Sequence, residues 1–223
     1  MDEWKLAVFD LDGVLTDTAK YHFQAWKQTM EKYGIPVDDE VNELVKGISR
    51  AKSLSLILER AHIPLQKELF EELLIRKNET YLGMIKQLSR KDVLPGVIEF
   101  LEELRIHGIP CVVASASKSA EMILNRLGIR SYFIGVVDPT GINNGKPAPD
   151  IFLKACQMAH IPAENAIGFE DAMVGIQAIK QAGMKAVGIG HENLKEEHPD
   201  CYYSSTIYLH MKVILQTIKE GQL

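Results

Sequence analysis

Long hydrophobic runs are missing from this chain, and with them any candidate for a membrane span. The N-terminal apolar stretch, Leu6-Ala7-Val8-Phe9, is four residues long, against the roughly 20 that a transmembrane helix needs. It is also too short for the hydrophobic segment of a secretion signal, so the cytoplasm is the expected compartment. Cysteine is scarce: Cys111, Cys156 and Cys201 are an odd number, widely spaced and without a CxxC pair. That excludes a disulfide framework and a zinc or redox centre, and all three read as reduced thiols, Cys111 in the core. Excess positive charge is absent too, with 25 Lys and Arg against 30 Asp and Glu and a net charge of -5. A protein that tracks nucleic-acid phosphates or anionic lipid needs the opposite balance, so neither is expected as a partner. An anionic small substrate would have to be caught by a few local cations. No internal repeat and no low-complexity segment interrupts the chain.

What is present is a hydrophobic content of 46% in 223 residues, enough for one large packed domain or two modest ones. Short apolar runs rich in β-branched residues recur at Leu6 to Phe9, Cys111 to Ala114, Ile134 to Val137, Ala166 to Phe169 and Ala186 to Ile189. Such runs suit buried parallel strands. Helical periodicity lies between them, at Val97 to Ile106, Ala120 to Leu127, Ile151 to Ala159 and Ala172 to Ala182, with glycine stops at Gly108, Gly128 and Gly183. The alternation predicts a Rossmann-like α/β fold, an open doubly wound parallel sheet. From Thr18 to Leu88 the rhythm breaks, because that stretch has amphipathic helical patterns and no convincing strand. The expectation is a helical cap at 18–88 inserted into a core of 1–17 and 89–223, joined by paired linkers that suit a hinged lid.

In open α/β sheets ligands sit beyond the carboxyl ends of the strands, so the residues following each run are the informative ones. The first strand runs into Asp10-Leu11-Asp12-Gly13, the second into Ser115-Ala116-Ser117-Lys118, and the fourth into Glu170-Asp171. Lys146 sits in the loop Gly145-Lys146-Pro147-Ala148-Pro149, where Pro147 biases it towards extended backbone. Each signal alone has an ordinary explanation: a turn, a solvated loop charge, or the cap of a helix beginning near Ala172. Convergence of carboxylates, a hydroxyl and an ammonium at one end of one sheet favours a phosphoryl-transfer site. Asp10 and Asp171 offer hard oxygen ligands to Mg²⁺. Asp10 can attack phosphorus to give an aspartyl-phosphate, while Ser115 and Lys146 orient and neutralise the transferring oxygens. Asp12 lies on the opposite side of an extended backbone unless the chain turns at Gly13. With that turn it can serve as general acid and base, worth roughly 10²–10⁴-fold.

The ordered set Phe9-Asp10-Leu11-Asp12-Gly13, Ala114-Ser115, Lys146-Pro147 and Glu170-Asp171 resembles the haloacid dehalogenase superfamily of phosphotransferases, over essentially the whole chain. A narrower likeness to the hexose-phosphate mutases of that superfamily lies in Thr16-Asp17-Thr18-Ala19-Lys20-Tyr21-His22-Phe23-Gln24-Ala25-Trp26, in Lys46-Gly47-Ile48-Ser49-Arg50 and in Arg76-Lys77-Asn78. The resemblance implies interconversion of β-D-glucose 1-phosphate and glucose 6-phosphate through a bisphosphate and a phosphorylated Asp10, by a cytoplasmic enzyme expected to be a monomer. It implies magnesium on Asp10, the Asp12 carbonyl and Asp171, with Glu170 beside them. It places Arg50, Ser117, Lys118 and Ser119 on the non-reacting phosphate, with Ala116 in the same substrate-binding loop, and His22, Trp26, Lys46, Gly47 and Lys77 on the sugar.

Read without the resemblance, His22 and Trp26 share a helix face in the manner of a packing pair, and Lys46 and Arg50 suit a solvated basic face. Ser119 stands where the mutase pattern commonly has asparagine, which replaces an amide donor by a hydroxyl and predicts a weaker grip. Two rivals stay open: a phosphatase on the same scaffold, and a non-catalytic sugar-phosphate binder. The loss of Asp10, Asp12 or Lys146 would have signalled the binder, and all three are present.

Overall fold

The structure, a computed structural model, describes residues 4–45, 48–64 and 66–221. The chain divides into two compact units, Met1–Asp17 with Ser89–Leu223, and Thr18–Leu88. The first unit begins with β1 (Leu6–Phe9), every residue of which is buried. The second unit holds α1 (Ala19–Glu31), α2 (Asp39–Leu44), α3 (Arg50–Arg60) and α4 (Lys67–Ile85). Its own core gathers Trp26, Met30, Val41, Leu54, Ile57, Leu58 and Leu73. Asp38 caps α2 by accepting from the Val41 amide at 2.9 Å, satisfying one of the amides that a helix start leaves unpaired.

After the second unit the chain returns to the sheet through α5 (Val97–Ile106), β2 (Cys111–Val113), α6 (Ala120–Leu127), β3 (Gly135–Val136), α7 (Asp150–Ala159), β4 (Ala166–Glu170), α8 (Met173–Gln181), β5 (Lys185–Ile189), β6 (Cys201–Tyr203) and α9 (Met211–Glu220). Among the described residues the strands form one six-stranded sheet in the order β3-β2-β1-β4-β5-β6, and every pairing is parallel. This is the doubly wound order expected from the alternating sequence pattern. The third strand is shorter than the predicted Ile134 to Val137: its paired residues are Gly135 and Val136, while Ile134, 57% exposed, and Val137 only donate their amides to the Cys111 and Val113 carbonyls at its ends. Helix α8 starts one residue later than predicted, since Ala172 is extended (φ -120, ψ 143). β6 was not predicted.

The order reverses direction at β1 and β4, and there the ligand crevice of such sheets opens. Register pairs Phe9 with Val113 on one side and with Phe169 on the other. Asp10, Ala114-Ser115 and Glu170 therefore emerge side by side. Behind them the Phe9 and Phe169 rings stack at 4.6 Å, and Phe100 meets both edge-on at 6.2 and 5.4 Å. This aromatic packing leaves the residues just beyond it little freedom to shift. Cys111, Cys156 and Cys201 are buried free thiols, and burial pushes Cys111 up to about 12. No helix among the described residues is long and apolar enough to cross a membrane.

Candidate active site

Asp10 continues β1: its amide donates to the Phe169 carbonyl at 3.0 Å, which ties the end of β1 to β4. One carboxylate oxygen, Oδ2, accepts from the Asp12 amide at 2.9 Å. The other, Oδ1, accepts from Lys146 Nζ at 2.5 Å, and Lys146 Nζ also donates to Glu170 Oε2 at 2.7 Å. The Lys146 and Glu170 side chains are 1% and 0% exposed, so these are charge-assisted bonds in a dry setting. Burial alone would lower the Lys146 ammonium, but the Asp10 and Glu170 charges more than reverse it and Lys146 stays cationic. Burial pushes the Glu170 carboxyl upward, with the charges of Asp10 and Asp171 adding to the push and the Lys146 ammonium opposing it. The second Glu170 oxygen, Oε1, accepts from the Asp171 and Ala172 amides at 3.1 and 3.2 Å. It thus satisfies donors at the start of α8, where a negative charge is favoured.

The chain does turn at Gly13, which has φ +76 and whose amide donates to the Thr16 carbonyl at 2.7 Å. A Cβ at Gly13 would lie 2.0 Å from Asp171 Oδ2, so the glycine leaves room for the Asp171 carboxylate against this turn. Thr16, given no site role in the sequence reading, is fully buried and pins this turn, its hydroxyl donating to the Asp92 carbonyl at 2.7 Å. Bridges from Thr16 to Asp12 and to Val93 complete the tie. A threonine between Leu15 and Asp17 carries no signal of such a tie by its own chemistry.

Ligand oxygens of Asp10, Glu170 and Asp171 lie within 4.8 Å of one another. Among the described residues these three carboxylates share the space with the Lys146 ammonium, so the donor set is hard, oxygen-only and short of positive charge. It fits a small divalent cation. Beyond β2, Ser115 is buried, and its Oγ accepts from the Ser117 amide at 3.1 Å, while Ser117 Oγ accepts from the Ser119 amide at 3.3 Å. Both amides are satisfied by this staircase. The hydroxyl protons remain available for donation to a ligand. Lys118 is exposed and Ala116 partly so, and Ser119 precedes α6 without spending its side chain on capping it.

In the helical unit the predicted residues group differently. Trp26 is 3% exposed and packs in the unit's core. Lys77, read as a sugar-facing cation, is only 1% exposed. Its Nζ lies 2.6 Å from His22 Nδ1, 5.2 Å from the Trp26 ring centroid and 4.7 Å from that of Tyr81. Tyr81 was missed, although it follows Lys77 by one helical turn. Its hydroxyl lies 3.3 Å from Thr18 Oγ1, and its ring centre 4.0 Å from that of His22. Arg50 opens α3, and burial lowers its guanidinium. Lys46 and Gly47 lie outside the described residues.

His22 is held well below its ordinary value, first by burial and then by Lys77 and Arg50. It is neutral when folded and charges in the unfolded chain. The stability this gives is complete above the ordinary value of 6.5 and is lost as pH falls below it. Melts at pH 7.5 and 5.5 are expected to show wild type losing a few degrees more than His22→Gln. Equal losses would contradict the neutral His22.

Over residues 4–183 the chain matches the family described as haloacid dehalogenase-like hydrolase. It belongs to that family, whose phosphotransferases use a divalent metal. It is 46% identical to beta-phosphoglucomutase of Bacillus subtilis over 191 residues, covering 83% of each chain. To a phosphorylated carbohydrates phosphatase of Thermotoga maritima it is 30% identical over 187 residues, covering 82% of this chain and 84% of that one. The crystal structure of beta-phosphoglucomutase from Clostridium difficile superposes with a TM-score of 0.93 at 37% identity, covering 97% of both chains.

Proposed function

We propose that this chain is a magnesium-dependent phosphomutase that interconverts β-D-glucose 1-phosphate and D-glucose 6-phosphate, acting as a cytoplasmic monomer. The observation that carries the reading is the Asp10–Lys146–Glu170 constellation with Asp171 at the β1/β4 crevice, in a chain 46% identical to a beta-phosphoglucomutase. An Asp10 oxygen attacks the phosphorus of a hexose bisphosphate, the bond from phosphorus to the sugar oxygen breaks, and the phosphoryl group stays on Asp10. Asp12 gives a proton to the departing sugar oxygen. In the return step it takes the proton from the attacking hydroxyl.

Lys146 is already in contact with Asp10, so it is placed to neutralise charge on the transferring oxygens without reorganising. Ser115 donates its hydroxyl proton to the same group. Asp10, the Asp12 carbonyl and Asp171 would hold Mg²⁺, with Glu170 beside them. The ion would supply positive charge to the equatorial phosphoryl oxygens. The loop Ala116 to Ser119 and Arg50 would serve the second phosphate, and His22, Lys46, Gly47 and Lys77 the sugar, with Trp26 packed behind Lys77.

Purified protein given Mg²⁺, β-glucose 1-phosphate and a trace of glucose 1,6-bisphosphate should form glucose 6-phosphate as the main product. The α-anomer should turn over far more slowly. Free phosphate as the main product would replace the mutase reading with that of a phosphatase.

A further inference from the structure

Gly175 is the third residue of α8, at a buried position in the first turns of a helix. Its φ is not positive, so nothing in the backbone asks for glycine, and alanine is the better helix former. The reason for glycine lies in what a side chain would meet. A Cβ at Gly175 would lie 2.0 Å from both Cδ and Oε2 of Glu170 and 2.3 Å from its Cγ. Oε2 is the oxygen that accepts from Lys146 at 2.7 Å, while Oε1 is fixed by the Asp171 and Ala172 amides. Glu170 is fully buried, so its carboxylate has no empty space to retreat into.

We propose that Gly175 is a positioning residue for the reaction: its missing side chain leaves the seat in which the Glu170 carboxylate lies, and that carboxylate holds Lys146 against Asp10. The inference rests on the phosphoryl-transfer reading of the site. A methyl group at 175 pushes Oε2 away from Lys146, and the ammonium then follows one carboxylate instead of bridging two. A displacement of about 1 Å at a reacting group costs on the order of 10²-fold in rate.

The test is a double-mutant cycle of Gly175→Ala and Glu170→Ala, with Gly83→Ala as control. Gly83 is also a helical glycine, within α4, and a Cβ there meets nothing within 4 Å. Gly175→Ala is expected to lower kcat about 10²-fold with KM nearly unchanged, and to lower Tm despite its better helix propensity. Gly83→Ala should leave both kinetic constants as they are. With Glu170→Ala already present, adding Gly175→Ala should cost no further activity and should raise Tm, because the methyl enters space that the carboxylate has vacated.

A kcat for Gly175→Ala within about twofold of wild type, or losses that multiply across the cycle, would overturn the proposal. If Gly175→Ala alone does not fold, a double variant that folds and melts above Glu170→Ala supports it, and a double variant that is also unfolded refutes it. Should wild type release phosphate instead of forming glucose 6-phosphate, the mutase reading falls. The same cycle, read as phosphate release, still decides the role of Gly175.

Discussion

Asp10→Asn is expected to lower turnover by about 10⁴-fold or more while the protein remains folded, because the substitution removes the nucleophile and little else. Asparagine keeps the shape of the side chain, and its amide oxygen can still accept from Lys146 Nζ or from the Asp12 amide. What goes is the charge that attacks phosphorus. Stability should hold, since Asp10 is one of three carboxylates crowded within 4.8 Å and removing its charge relieves repulsion as well as attraction. Two measurements check this: thermal melts of both proteins, and transfer of label from phosphate-labelled glucose 1,6-bisphosphate onto the protein. Wild type should take up label on Asp10 and the variant should take up none. Label retained by the variant would move the nucleophile elsewhere.

Much of the core was legible because β1, β2, β4 and β5 are built on short apolar runs that polar residues soon follow. Leu6 to Phe9 is buried throughout, and the Asp10-Leu11-Asp12 that follows marks where the apolar run ends. β6 escaped because Cys201-Tyr202-Tyr203 is an edge strand only half buried, and such strands lack the apolar run. The site was legible as a list of chemical groups and much less so as a set of contacts. Glu170 reads from sequence as a carboxylate at a strand end, and only the fold reveals that one of its oxygens belongs to Lys146 and the other to the start of α8.

The helical unit was harder still. Lysine on an amphipathic helix normally reads as solvated, yet Lys77 is buried with its stem in packing and its ammonium beside two aromatic rings and His22. His22 and Lys77 are 55 residues apart. Nothing local in either helix predicts that they meet.

Lys146→Ala is expected to damage both stability and catalysis, and the two losses can be separated. In the folded protein the ammonium lies between Asp10 and Glu170, with both bonds made inside the core. Its removal leaves two carboxylates without their cation in a place where water does not compensate them, and breaking a buried pair from one side costs about 3–5 kcal/mol. Urea unfolding should register that loss as a lower midpoint with an unchanged slope. Turnover should fall a further 10²–10³-fold, roughly the effect of deleting one preorganised group that stabilises transition-state charge. Glu170→Gln added to Lys146→Ala should recover part of the stability, since it removes the most deeply buried of the unpaired charges while keeping an acceptor for the Asp171 and Ala172 amides. It should recover none of the activity, because the ammonium that meets the phosphoryl oxygens is still absent. Recovery of both together would mean that Lys146 serves the fold alone, and its place in the mechanism would have to be given up.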